Sequence, residues 1–76
     1  MVIKDELNAL LKHEFPNIDF ENEEKLVENG VFDSLALFQL IGILELKYGL
    51  SIPIEEITPE NFNSKAAITL LINKLS

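Results

Sequence analysis

The sequence predicts an all-α fold: a small antiparallel helical bundle of three main helices plus one short helix, with a long loop between helices one and two. Three observations predict it. Apolar residues recur at helical spacing in three separate segments. No segment keeps the alternation of a strand, since Leu50-Ser51-Ile52 is too short to build a sheet. Glycine and proline fall between the periodic segments, where helices must stop. The 76 residues make one domain, 1–76.

The first helix is expected over residues 2–14. Ile3, Leu7, Leu10 and Leu11 fall at i, i+4, i+7 and i+8, with Lys4, Asp5, Asn8 and Lys12 off that face. Phe15 and Pro16 close it, because proline disfavours helix at the residue before it. Residues 16–33 keep no period and are strongly acidic, with Asp19, Glu21, Glu23, Glu24 and Glu28 against the single cation Lys25. Leu26, Val27, Val31 and Phe32 are its expected anchors. Glu23 to Glu28 form a possible helical turn that Gly30 would stop in a left-handed conformation.

Residues 34–48 give the strongest helix. Asp33 or Ser34 supplies the capping oxygen, and Gly49 ends it. Leu37, Leu40, Ile41, Leu44 and Tyr48 share one face. Steps of about 100° put Leu35, Phe38, Gln39, Gly42, Glu45 and Leu46 on the other. Three of those six are large and apolar, so a docking surface is expected there. The connector 50–63 is irregular, with Ile52, Ile54, Ile57 and Phe62 as expected core anchors. Thr58 and Pro59 start a short helical turn, threonine as cap and proline in first position. The last helix runs from its Ser64 cap to Leu75, with Ile68, Leu71, Ile72 and Leu75 as its stripe.

Acidic residues outnumber basic ones 13 to 6, for a net charge of −7. Such a chain is repelled by nucleic acid and by anionic membrane, and a basic face on a partner protein complements it. No segment has the unbroken apolar run of a membrane span. Residues Met1 to Glu6 lack the apolar core of a signal peptide, so a cytoplasmic protein is expected. There is no cysteine, hence no disulfide, thiolate metal site or cysteine nucleophile, and His13 is the sole histidine. Calcium fails on spacing as well: Asp19 to Glu23 alternate, but Glu24 stands where an EF-hand loop needs its turning glycine. No metal site is expected. His13 is read as a surface residue placed favourably near a helix C-terminus.

Ser34 is the informative residue. It follows Asp33, stands where a long loop meets the strongest helix, and directly precedes the outward apolar patch. Free N–H groups and the positive dipole end at such a helix start favour a phosphate. The plain reading of the position is a helix cap.

Leu26-Val27-Glu28-Asn29-Gly30-Val31-Phe32-Asp33-Ser34-Leu35 resembles the attachment motif of the acyl carrier protein family. These are small helical bundles bearing a 4′-phosphopantetheine arm. The resemblance continues through the Leu44-Glu45 pair, the Tyr48-Gly49 turn, an Ile-Pro connector, a short third helix and a final helix. It covers residues 24 to 75. It implies that a phosphopantetheinyl transferase attaches the arm from coenzyme A to Ser34, flanked by Asp33 and Leu35. It further implies a monomer, not itself an enzyme, that carries acyl or aminoacyl groups as thioesters between a loading ligase or transferase and downstream synthases. Leu35, Phe38, Gln39, Gly42, Glu45 and Leu46 match the family's recognition face. The fatty-acid branch carries more acid on this helix than Ala36, Gln39, Gly42 and Leu46 supply here. The Gly-Val-Phe-Asp-Ser-Leu form also resembles free-standing aminoacyl carriers, the D-alanyl carriers among them. Fatty-acid synthesis, aminoacyl or secondary-metabolite pathways and an unmodified acidic interaction module stay open at this point, with a discrete carrier serving a dedicated ligase or a small biosynthetic pathway favoured.

Overall fold

A computed structural model describes residues 4–76, and among them the regular structure is all helical. The order is α1 (Lys4–Glu14), α2 (Ser34–Tyr48), a 3₁₀ turn (Ile54–Glu56), α3 (Pro59–Phe62) and α4 (Lys65–Leu75). Three substantial helices and one short one are therefore observed. The 3₁₀ turn was not expected. Residues 2 and 3 of the expected first helix, with Ile3 of its stripe, lie outside the described residues.

The helical stripes meet in one core. Leu7 and Leu11 of α1 are fully buried, as are Leu40 and Leu44 of α2 and Ile68 and Ile72 of α4. Phe62 of α3 and Leu26 of the loop complete it. Leu10, Leu37, Tyr48, Ile57 and Leu75 pack against it from the edge. α4 lies against both α1 and α3. Burying a side chain of this kind contributes about 1.5–3 kcal/mol relative to leaving it exposed.

The loop 15–33 is packed by aromatics. Phe15, Phe20 and Phe32 form an edge-to-face triad with centroids 5.3 to 6.3 Å apart. Such pairs add about 0.5–1.5 kcal/mol beyond their buried area. Leu26 and Phe32 are anchors as expected, but Val31 is exposed. The residue after the left-handed Gly30 (φ 74°) turns its side chain outward, and Phe20 takes up core volume instead. The helical turn runs from Lys25, whose carbonyl accepts the Asn29 N–H at 2.8 Å, and not from Glu23.

The connector departs from expectation at Ile54, which is 82% exposed and not a core anchor. It begins the 3₁₀ turn after Pro53, and three residues per turn send its side chain away from the face that buries Ile52. Thr58 precedes α3 and Pro59 opens it, but the Thr58 side chain makes no capping bond. Ser64 does cap α4, its Oγ accepting the Ala67 N–H at 3.1 Å.

Ion pairs tie the acidic surface down. Lys65 Nζ, nearly buried, donates to Glu21 Oε1 at 2.6 Å and to Asn8 Oδ1 at 3.1 Å, joining α4, the loop and α1. The Lys65 hydrogen bond, then its charge, holds the Glu21 carboxyl below its ordinary range. Lys74 does the same for Glu56 at 2.8 Å. Asp19 accepts the Asn22 side chain at 2.9 Å and the N–H groups of Asn22 and Glu21, which lower its pKa.

Candidate functional site

The head of α2 is built by Asp33. Its backbone is extended (φ −80°, ψ 177°), and its Oδ1 accepts the Ala36 N–H at 2.8 Å. Its carbonyl accepts the Leu37 N–H at 2.9 Å. Of the two residues offered for the cap, Asp33 is the one that serves. That frees Ser34 to stand as the first helical residue, exposed, and no hydrogen bond among the described residues engages its hydroxyl. Ser64 Oγ is occupied by its cap, and Ser76 Oγ donates to the Ile72 carbonyl at 2.6 Å.

The geometry at Ser34 fits a covalently attached phosphodiester. The hydroxyl is open to solvent, and the unpaired first-turn N–H groups put positive potential beside it. The adjacent Asp33 carboxylate already accepts from Ala36, which spends part of its charge inward.

Beyond Ser34 the outer face of α2 is apolar and bare. Leu35 is 70% exposed, Phe38 64% and Leu46 88%. Phe38, Gly42 and Leu46 follow at i, i+4 and i+8, so they form one ridge with a notch at the glycine. The notch is open, since a Cβ on Gly42 would meet nothing within 4 Å. Beside the ridge lies a cleft of about 560 Å³, walled by Gln39, Ile43 and Leu46 on α2 and by Glu14 and Phe15 at the end of α1.

Four of the six expected face residues, Phe38, Gln39, Gly42 and Leu46, line this cleft, and Leu35, exposed and next to Ser34 in the first turn, does not. Glu45 does not belong with them. It is half-buried, and its Oε2 accepts the Ile52 N–H at 2.9 Å on the connector side. The helical period places Glu45 near the outward set, but the chain after Gly49 folds back over it. The sequence reading missed Glu14, Phe15 and Ile43. Only Ile43 carried a signal, as an apolar residue between the two faces of α2.

The chain matches no family model, no curated protein and no solved structure in comparisons with known proteins. No helix among the described residues is long and apolar enough to cross a membrane.

Proposed function

We propose that this chain is a discrete acyl or aminoacyl carrier, with its helices arranged as the antiparallel bundle that such carriers use. It is not itself an enzyme. One observation carries the reading: the Ser34 hydroxyl is exposed and unengaged at the capped head of α2, directly above a bare apolar face. A 4′-phosphopantetheine arm attached there supplies a terminal thiol that holds cargo as a thioester. Attachment forms a bond from Ser34 Oγ to the phosphorus of coenzyme A that bears the pantetheine. The pyrophosphate bond breaks, adenosine 3′,5′-bisphosphate leaves, and the serine proton passes to a base of the transferase.

This chain's own residues present the site. Asp33 fixes the first turn, Leu35 flanks the serine, and Phe38, Gln39, Gly42 and Leu46 offer the surface against which the transferase and a loading ligase dock. Aminoacyl cargo loaded by a dedicated ligase is favoured over fatty-acid cargo. The α2 face meets partners with leucine and phenylalanine, and its one carboxylate, Glu45, is engaged with Ile52.

Incubation with coenzyme A and a broad-specificity phosphopantetheinyl transferase tests the reading by intact mass. One phosphopantetheine is expected on the wild-type chain and none on Ser34→Ala. No gain, or a gain mapped to Ser51, Ser64 or Ser76, overturns it and leaves an unmodified interaction module.

A further inference from the structure

Asn63 is the buried polar residue of the described chain, 9% exposed at the junction of α3 and α4. Four of its hydrogen bonds go to a segment some 35 residues away. Its Oδ1 accepts the N–H of Val27 at 3.0 Å and that of Glu28 at 3.2 Å. Its Nδ2 donates to Glu28 Oε2 at 2.6 Å. Its backbone carbonyl accepts the Leu26 N–H at 2.9 Å.

The held segment closes on itself. The Leu26 carbonyl accepts the Phe32 N–H at 2.9 Å, and Gly30 N–H reaches the Val27 carbonyl at 3.1 Å across the left-handed turn. Phe32 is buried, and the next two residues are the Asp33 cap and Ser34. Residues 15–33 contain no helix of their own, so the approach to α2 is located by this latch and the aromatic triad, with the Lys65–Glu21 ion pair holding the loop further back. An asparagine is required for the pattern. Aspartate lacks the donor, and an apolar residue of similar size lacks donor and acceptor alike.

We infer that Asn63 is a positioning residue: it latches residues 26–32 to the α3–α4 junction and thereby sets the geometry of Asp33 and Ser34 at the head of α2. The inference rests on the carrier reading of Ser34. It makes the α3–α4 junction a point from which a partner, by prying Asn63 from Glu28, would alter Ser34 without touching it. The coupling runs through hydrogen bonds that leave two backbone N–H groups unpaired when broken.

The test is amide hydrogen exchange on the full chain beside the rate of arm attachment from coenzyme A. Asn63→Asp keeps the shape and sets two carboxylates against each other at the Glu28 contact. Exchange at Leu26, Phe32 and Ala36 is expected to quicken at least about tenfold, the effect of losing one charge-assisted bond. The kcat/KM for attachment is expected to fall about threefold or more, at temperatures where the helices stay intact by circular dichroism. Glu28→Gln alone changes little, because its amide oxygen still accepts from Asn63. The double variant, Asn63→Asp with Glu28→Gln, restores both readouts, its new Nε2 donating to the aspartate. Faster exchange at Leu26 and Phe32 with an unchanged attachment rate overturns the inference, since the contact then serves stability alone. Failure of the double variant to rescue also overturns it. If wild-type Ser34 takes no arm, the carrier reading falls, and Ala36 exchange in the same variants still decides the latch.

Discussion

Glu45 Oε2 accepts the backbone N–H of Ile52 at 2.9 Å, seven residues further along the chain and past the turn at Gly49. The Glu45 carbonyl accepts from Gly49 at 3.0 Å and from Leu50 at 3.3 Å. One residue therefore stops α2 with its backbone and steers the connector into the core with its side chain. Ile52, buried by that steering, packs with Leu44 and Phe62 in the same cluster.

Glu45→Ala is therefore expected to cost stability, by about 1–2 kcal/mol for a half-buried bond to a charged acceptor. Glu45→Gln keeps an acceptor oxygen and should lose less than half of that. Urea unfolding of the three proteins measures it. Equal midpoints for wild type and Glu45→Ala would return Glu45 to the surface face where its helical angle alone places it.

Periodicity alone makes the two sides of α2 legible in the sequence. Leu40 and Leu44 are buried while Phe38 and Leu46 are bare, because a 15-residue helix turns its residues by a fixed angle. Ends were legible where one residue type does one job, as with Gly49 at φ 63° and Pro59 at the first position of α3. What was not legible depends on the chain returning to itself. Glu45 reads as polar and outward until the connector crosses it, and Asn63 reads as loop until the segment 26–32 docks on it. Ile54 reads as a core anchor because isoleucine usually is one, and only the 3₁₀ turn shows it facing out. Side chain to backbone bonds across dozens of residues leave no period to detect.

Gly42 and Gly49 should respond to alanine in opposite directions. Gly42 lies inside α2 with ordinary helical backbone and open space at its Cβ position. Gly42→Ala should stabilise by about 0.5–1 kcal/mol through helix propensity. Gly49 holds a left-handed φ of 63°, and Gly49→Ala should destabilise by roughly 1 kcal/mol or more. Thermal melts of the pair decide it. A loss of stability at Gly42 would mean that the notch beside the cleft is already filled.

Acid should weaken the fold through Glu21 and Glu56. Each has its folded pKa lowered by a lysine, so each favours the folded state fully above its ordinary value of 4.5. That contribution is lost as pH falls through the lowered value. The melting temperature of the wild type should drop below about pH 4.5. Glu21→Gln, which cannot titrate, should show a shallower decline over the same range. Parallel curves for the two proteins would mean that the Lys65 pair adds nothing in solution.

Phe38 and Leu40 are two residues apart on α2 and should fail in different assays. Phe38 is 64% exposed on the wall of the cleft, whereas Leu40 is fully buried. Truncating an exposed residue usually changes stability by about 0.5 kcal/mol or less. An aromatic at the centre of a docking surface can cost roughly 2 kcal/mol or more of binding when it is removed. Phe38→Ala should therefore melt near the wild type while its kcat/KM for arm attachment or ligase loading falls about thirtyfold, the factor that 2 kcal/mol represents. Leu40→Ala leaves a cavity in the core, and should cost about 2–5 kcal/mol of stability. At temperatures where it remains folded, Leu40→Ala should keep most of its attachment rate, because its side chain never reaches the surface. The two measurements belong together, melts beside kinetics for each variant. Unfolding by Phe38→Ala, with Leu40→Ala intact, would show that the exposed ridge of α2 is packed in solution and that the docking face lies elsewhere.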